Sequence, residues 1–238
     1  MREYILEKLK EHIETGKKEI LQSFFQTGKS GYAENDIFIG VRVPMQRKVA
    51  KEIYKDIPFD KIPKLLEDPI HEVRLTTLFI MIHHYEKSKD NIKKHIYEMY
   101  LKNTHKVNNW DLVDASAHKI VGRYIYDYNL DRKILYKLAE SKDLWTQRIS
   151  VVANWYLISK NEIEHIFKIS KKLLDHKHHL IHKASGWMLR EAGKKDIGAL
   201  KEFIKENYSN MPRTMLRYSI EKFPELERKN YLKGEFNL

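Results

Sequence analysis

A chain of 238 residues can bury a sizeable core without covalent staples, and with no cysteine it excludes disulfides, thiolate metal ligands, iron–sulfur clusters and cysteine nucleophiles. Lys and Arg number 44 against 33 Asp and Glu, a formal net charge of +11, so polyanions are the expected partners and nucleic acid is the first of them. Gly (9) and Pro (6) together reach about half their usual share of roughly 12%, which disfavours turn-rich all-β folds and leaves long helices.

The opening segment, Met1 to Leu9, is charged from its second residue and lacks the unbroken apolar run of a signal peptide. It reads as helix, with Ile5, Leu9 and Ile13 at helical spacing. The segment from Thr27 to Gly40 is Gly-rich, carries Asp and Asn, and cannot be helical throughout. The most apolar stretch, Leu75 to Ile82, falls far short of the roughly 18 to 20 residues that a membrane span needs, so a soluble, cytoplasmic protein without membrane association is expected. Helical periodicity continues through Val113, Ala117, Ile120, Val121 and Tyr124, and again through Leu216, Ile220 and Phe223. Breakers and caps, among them Pro44, Asp68, Ser88 to Asp90, Asn108, Asn109, Asp143, Asn161, Asp196, Pro212 and Pro224, punctuate the chain every dozen to twenty residues or so.

An internal repeat emerges from self-comparison. The segment from Asp68 to Leu78 resembles that from Asp143 to Val152: an acidic cap, a short spacer, an arginine, then a small and apolar run. Arg74 and Arg148 are 74 residues apart, two units of 37; Asp111 lies halfway, and Lys183 follows 35 residues after Arg148. This is the period of paired-helix solenoids. The expected fold is therefore all-α, a single-domain α-solenoid over residues 1–238 in which about five to six antiparallel helix pairs stack around a continuous concave basic groove.

Chemistry is densest at Asn108-Asn109-Trp110-Asp111-Leu112-Val113-Asp114. If an Asn caps this helix, Trp110 and Asp114 stand at i and i+4 on one face, with Asp111 in the first turn where negative charge suits the helix dipole. A second helix carries Trp145 and Arg148 at i and i+3. A third carries Lys183, Trp187 and Arg190 at i, i+4 and i+7, and Gly186 beside Trp187 suggests a close approach by another backbone. Taken singly, each tryptophan fits a core ring and each cation a solvated side chain. Three tryptophans sharing faces with charges, on helices spaced by the repeat, point instead to one shared site. The cations Arg42, Arg47, Arg74, Lys106, Arg148, Lys183, Arg190, Arg213 and Arg217 fall mostly near inner-helix starts, where phosphates can meet both charge and helix-terminal N–H groups.

Other chemistries find little support. The histidines His176, His178, His179 and His182 are a weak metal signal without H-E-x-x-H, and no metal or cofactor is expected. There is no G-x-S-x-G, P-loop or dinucleotide-binding glycine pattern.

In the order and spacing of Trp110-Asp111-Leu112-Val113-Asp114, Trp145-Thr146-Gln147-Arg148, Gly186-Trp187-Met188-Leu189-Arg190-Glu191 and, more loosely, Phe38-Ile39-Gly40-Val41-Arg42-Val43-Pro44, the chain resembles the AlkD-type alkylpurine DNA glycosylases, the HEAT-like repeat DNA alkylation repair enzymes. The resemblance spans nearly the whole chain. It implies a base-excision enzyme that removes N3- and N7-alkylated purines such as 3-methyladenine and 7-methylguanine from duplex DNA without cofactor or metal. It also implies Asp114 as the catalytic carboxylate, Trp110 and Trp187 as the aromatic pair around the damaged nucleotide, and Arg148 as a phosphate contact; from their places near helix starts, Arg42, Arg47, Lys183 and Arg190 are expected as further DNA-binding cations. A monomer with no obligate protein partner, associated with the nucleoid when bound to DNA, is expected. Two departures stand out: Phe25 occupies the place of a tyrosine in the family's type member, and the loop from Thr27 to Asp36 is longer than in that member.

The chemistry can be argued from the lesion itself. A cationic alkylpurine leaves without a general acid, the sugar becomes cation-like, and a carboxylate between indole faces would stabilise it. Two alternatives stay open: a catalytically inactive helical-repeat protein binding duplex or branched DNA, and a protein-binding scaffold, which gives no reason for Asp114 beside Trp110.

Overall fold

Helix boundaries fall where capping chemistry puts them. Asp143 closes the start of one helix by accepting from the Thr146 amide and hydroxyl, both at 2.7 Å, and Asp196 accepts from the Ala199 amide at 2.9 Å to start another. Pro44 stands in the first turn of a third, where its missing N–H costs nothing. The structure, a computed structural model, describes residues 1–236. It is all-α, and among the described residues extended pairing is confined to isolated bridges, Ile13 with Val41 and Ile37 with Ile70.

Contacts within the chain separate two compact units, Met1–Ser116 and Ala117–Leu238. The first carries α1 (Arg2–Lys10), α2 (Lys17–Phe24), α3 (Val43–Ile53), the single turn α4 (Ile62–Leu65), α5 (His71–Lys87), α6 (Asp90–Lys102) and α7 (Trp110–Ala117). From His71 to Ile82 every residue of α5 is buried. The chain's most apolar stretch thus forms a core helix, against which α1, α3 and α6 pack. Among the described residues no helix is long and apolar enough to cross a membrane.

The second unit starts with a π-helical turn, His118–Gly122, followed by α8 (Arg123–Asp127), α9 (Lys133–Ala139), α10 (Leu144–Ser159), α11 (Glu164–Lys172), α12 (His179–Gly193), α13 (Ile197–Asn207), α14 (Arg213–Ser219) and α15 (Glu225–Lys233). Here α10, α12 and α14 lie side by side, with α9 and α11 against α10, and α11 and α13 against α12. This is a stack of helical repeats. Helices α5, α7, α10, α12 and α14 begin at His71, Trp110, Leu144, His179 and Arg213, one every 34 to 39 residues, the period read from the sequence. At Gly186 a Cβ would lie 2.5 Å from the Met215 carbonyl oxygen and 2.6 Å from the Tyr218 Cβ. Only glycine allows α12 and α14 to approach this closely, over a core that includes Leu189, Leu200, Phe203, Met215 and Leu216.

The segment from Thr27 to Gly40 contains no helix. Its end is held by α5: the buried Glu72 carboxylate accepts from the amides of Ile39, Gly40 and Val41 at 3.1, 2.9 and 3.3 Å, and Gly40 turns the chain at φ +93°. Burial, opposed by these backbone bonds, raises the Glu72 pKa.

Candidate functional site

The start of α7 is built from side chains far apart in sequence. Asn109, fully buried, accepts from the Trp110 amide at 2.8 Å through Oδ1 and donates through Nδ2 to Asp36 at 3.0 Å. Of the two asparagines that the sequence offers as caps, Asn108 and Asn109, it is Asn109 that caps the helix. Trp110 is half-buried, with its indole stacked on Phe25 (centroids 5.0 Å apart, planes 13° apart) and meeting Phe24 edge-on at 5.8 Å. Its Nε1 donates to the Tyr32 hydroxyl at 2.9 Å. One turn further, half-buried Asp114 shares the helical face of Trp110. Its charge adds to burial, the larger cause, in raising the pKa of buried Tyr100, whose hydroxyl bonds Ser116 at 2.8 Å.

Asp111 turns elsewhere. Its Oδ2 lies 2.7 Å from His71 Nε2, and on the other side of that ring Nδ1 lies 2.9 Å from Asp36 Oδ2. An imidazole with a carboxylate at each nitrogen is satisfied as the imidazolium, donating both ways. Burial is the largest single influence on His71 and opposes its charge. The Asp111 charge, with the hydrogen bonds to Asp111 and Asp36, outweighs it and pushes the pKa up to about 9. Asp36 also accepts from Arg74 at 2.6 Å. Burial works against its charge, yet His71, Arg74 and Asn109 hold its pKa below the ordinary value. Arg74, 4% exposed, makes a second bond to the Asp68 carbonyl at 2.8 Å. Phe38 stacks on both Phe25 (4.9 Å) and His71 (4.6 Å). An aromatic series thus runs from the indole to a buried, charge-neutralised hub.

Of the five cations singled out as DNA-binding alongside the family resemblance, two belong to this unit. Arg42 precedes α3 with an exposed side chain paired to Glu14 at 2.7 Å, and Arg47 lays its guanidinium over the Phe79 ring at 4.1 Å. The others lie in the second unit. Arg148 is 4% exposed and donates to the Leu180 carbonyl at 2.5 Å, bracing the first turn of α12. Arg190 bonds Glu191 at 3.2 Å and pairs with Glu221. Lys183 and Trp187 are half-buried on α12, with Trp187 edge-on to Trp155 at 5.0 Å and Trp155 tilted against His118 at 4.5 Å.

The structure therefore joins Trp110 and Asp114 in one unit and Lys183, Trp187 and Arg190 on one helix of the other. The histidine group around α12 serves local structure: His176 bonds Gln147 at 2.8 Å, His178 accepts from the Leu180 amide at 3.2 Å, and His182 bonds the His176 carbonyl at 2.5 Å. Sequence reasoning missed the Asp36–His71–Asp111 bridge and the Tyr32 hydroxyl. Asp111, a third of a turn from Trp110 and read from the sequence only as suiting the helix dipole, was the one available signal.

A family model described as DNA alkylation repair enzyme matches residues 5–223. No curated protein sequence matches the chain. Among solved structures, the chain is similar to a predicted DNA alkylation repair enzyme from Enterococcus faecalis, with 15% identity and a TM-score of 0.70 over 90% of this chain and 98% of that one. At that identity the likeness concerns the fold.

Proposed function

The chain belongs to the DNA alkylation repair enzyme family, and from that premise we propose that it is a monofunctional DNA glycosylase acting on duplex DNA, hydrolysing the N-glycosidic bond of cationic N3- and N7-alkylated purines. The bond between C1′ and the purine nitrogen breaks with its electron pair on the base. A cationic base leaves neutral, so no acid is required. Water then adds at C1′ and gives up its proton, leaving an abasic site. The barrier lies in the oxocarbenium-like sugar, and an anion aimed at that charge is the most effective help a protein can offer.

The observation that carries this reading is Asp114 one helical turn beyond Trp110. The indole is held by Phe25 and Tyr32 at the start of a helix that Asn109 caps. Asp111 faces His71, whereas Asp114 shares the helical face of Trp110, and it is the carboxylate of this segment assigned to the reacting sugar. Trp187 supplies the second indole, whose face favours a cationic partner. Arg42, Arg47 and Lys183 are assigned to the phosphates, while Arg148 and Arg190 act chiefly by holding α12 in place. The enzyme is assigned to the cytoplasm and works as a monomer without metal or cofactor.

The test is alkali-revealed strand breakage in a duplex carrying one 7-methylguanine. Wild type should cleave, and Asp114→Asn should slow base release by about 100-fold or more while leaving duplex affinity within a few-fold. Salt-sensitive binding with no base release by wild type would identify an inactive DNA binder. Equal rates in both proteins would remove Asp114 from its role.

A further inference from the structure

Four histidines, His176, His178, His179 and His182, gather at the start of α12, in the second unit. Hydrogen bonds fix three of them. His176 accepts from the His178 amide through Nδ1 at 3.0 Å and donates through Nε2 to Gln147 Oε1 at 2.8 Å, so a neutral ring uses both its nitrogens. His178 accepts from the Leu180 amide through Nδ1, which leaves its proton on Nε2 and excludes the imidazolium while that cap stands. His182 donates through Nε2 to the His176 carbonyl. His179 differs from all three. It is exposed and, among the described residues, makes no hydrogen bond or ion pair; its ring stacks on His178, with centroids 4.9 Å and planes 18° apart.

The charges around His179 are of one sign. His182 and Lys183 follow it on α12 at i+3 and i+4, the spacings of one helical face. From α10, Arg148 reaches the same turn at the Leu180 carbonyl, and its charge acts on His178. Among the described residues no carboxylate pairs with these histidines or with Lys183, and none of α11, α13 or α14 supplies a charge that acts on His179. Burial first, then Lys183 and His182, hold the His179 pKa below the ordinary histidine value, so the ring is largely neutral at pH 7. An anion placed there offsets the repulsion that keeps it neutral. The same face runs on through Lys183 to Trp187. Eight residues separate His179 from that indole, about 12 Å along the helix, or roughly three to four nucleotides of one DNA strand.

We propose that His179, with His182 and Lys183 beside it, holds a phosphodiester of the DNA backbone and takes up a proton as it does so, which makes duplex affinity depend on pH. The choice of DNA as the anion rests on the reading above. An imidazolium gives a phosphate oxygen a charge-assisted N–H, whereas the neutral ring gives it a weaker one. The complex then carries more protons than the free protein, so affinity rises as the pH falls, by up to about tenfold per pH unit for one proton. His179 is exposed and makes no hydrogen bond within the fold, so the link concerns binding and not folding stability.

The experiment measures fluorescence anisotropy of a labelled, undamaged duplex from pH 8 to pH 6 at fixed ionic strength, with the whole protein and two variants. His179→Gln removes the titrating group, and His179→Lys replaces it with a permanent cation. Other histidines add a general charge common to all three proteins, so the comparison between them is the readout. Between pH 8 and pH 6 the wild type should tighten about three- to tenfold more than His179→Gln. His179→Lys should bind more tightly than wild type at pH 8, with a profile as flat as that of His179→Gln. Calorimetry at pH 7 in two buffers of different ionisation enthalpy should count about one proton more taken up by wild type than by either variant. Equal pH profiles in wild type and His179→Gln overturn the proposal, as does a His179→Lys protein that binds no better than His179→Gln at pH 8, the mark of a merely structural role. Duplex binding without the proton link would refute this site alone, and proton-linked binding without release of 7-methylguanine would refute the glycosylase reading alone. Absence of duplex binding at every pH would refute both.

Discussion

Trp110 and Trp187 are both half-buried indoles on helices that begin two repeat units apart in the sequence, yet they are held by different physics. Around Trp110 the means are polar and charged: Asn109 caps its helix, Tyr32 accepts from its ring, and the Asp36–His71–Asp111 bridge anchors the next residue. Around Trp187 the means are steric: Gly186 lets α12 close on α14, and Trp155 meets the indole edge-on. The two arginines of the repeat differ in the same way. Arg74 is matched by the Asp36 carboxylate, whereas Arg148 reaches the Leu180 carbonyl. The first region should therefore respond to proton concentration and the second to side-chain volume.

The largest effect is expected from His71→Leu. It leaves the carboxylates of Asp36 and Asp111 without their shared cation, and breaking such a buried set costs about 3 to 5 kcal/mol. Urea unfolding at pH 7 measures it, and a loss below about 1 kcal/mol would mean that the bridge is not the anchor described here. Next comes pH itself. The folded protein holds the His71 proton to about pH 9, whereas an ordinary histidine releases it near 6.5. The bridge therefore contributes fully below pH 6.5, declines as the pH rises and is lost above about 9. The contribution is on the order of 3 kcal/mol. Asp36, shifted downward, loses its part at the acid end instead. Unfolding curves from pH 6 to 10 should show the alkaline decline in wild type and a flatter profile in His71→Leu.

Gly186→Ala probes the other region. The added methyl meets the Met215 carbonyl, so overpacking of about 1 to 3 kcal/mol exceeds the helix-propensity gain of about 1 kcal/mol. A fall in Tm that is independent of pH is expected, and a rise would show that α12 and α14 can separate freely. The smallest effect belongs to Tyr32→Phe, which leaves the Trp110 indole N–H without its acceptor at a cost of about 1 kcal/mol. Thermal unfolding of this variant and of Phe25→Tyr would show which contact positions the indole.

Much of the first region was legible because its signals are local. The Asn108-Asn109 pair reads as a cap and Trp110 with Asp114 as one face, since a helix fixes those relations within a single turn. Gly186 declared a close approach by its helix-breaking cost. The bridge was illegible because Asp36, His71 and Asp111 are 35 and 40 residues apart, and nothing in a charge's identity says which distant charge it will meet. Arg148 and Arg190 illustrate the same limit. Their spacing puts them on helix faces, but only packing decides whether a face looks at solvent or at Leu180 and Glu221.

The sequence alone determined the helical repeat, its period and its caps, because periodicity and capping act over one or two turns and need no partner from elsewhere. The tertiary structure decided which charges are buried together and which cations are already engaged. Those outcomes depend on desolvation and on contacts between segments that only the folded chain brings within reach.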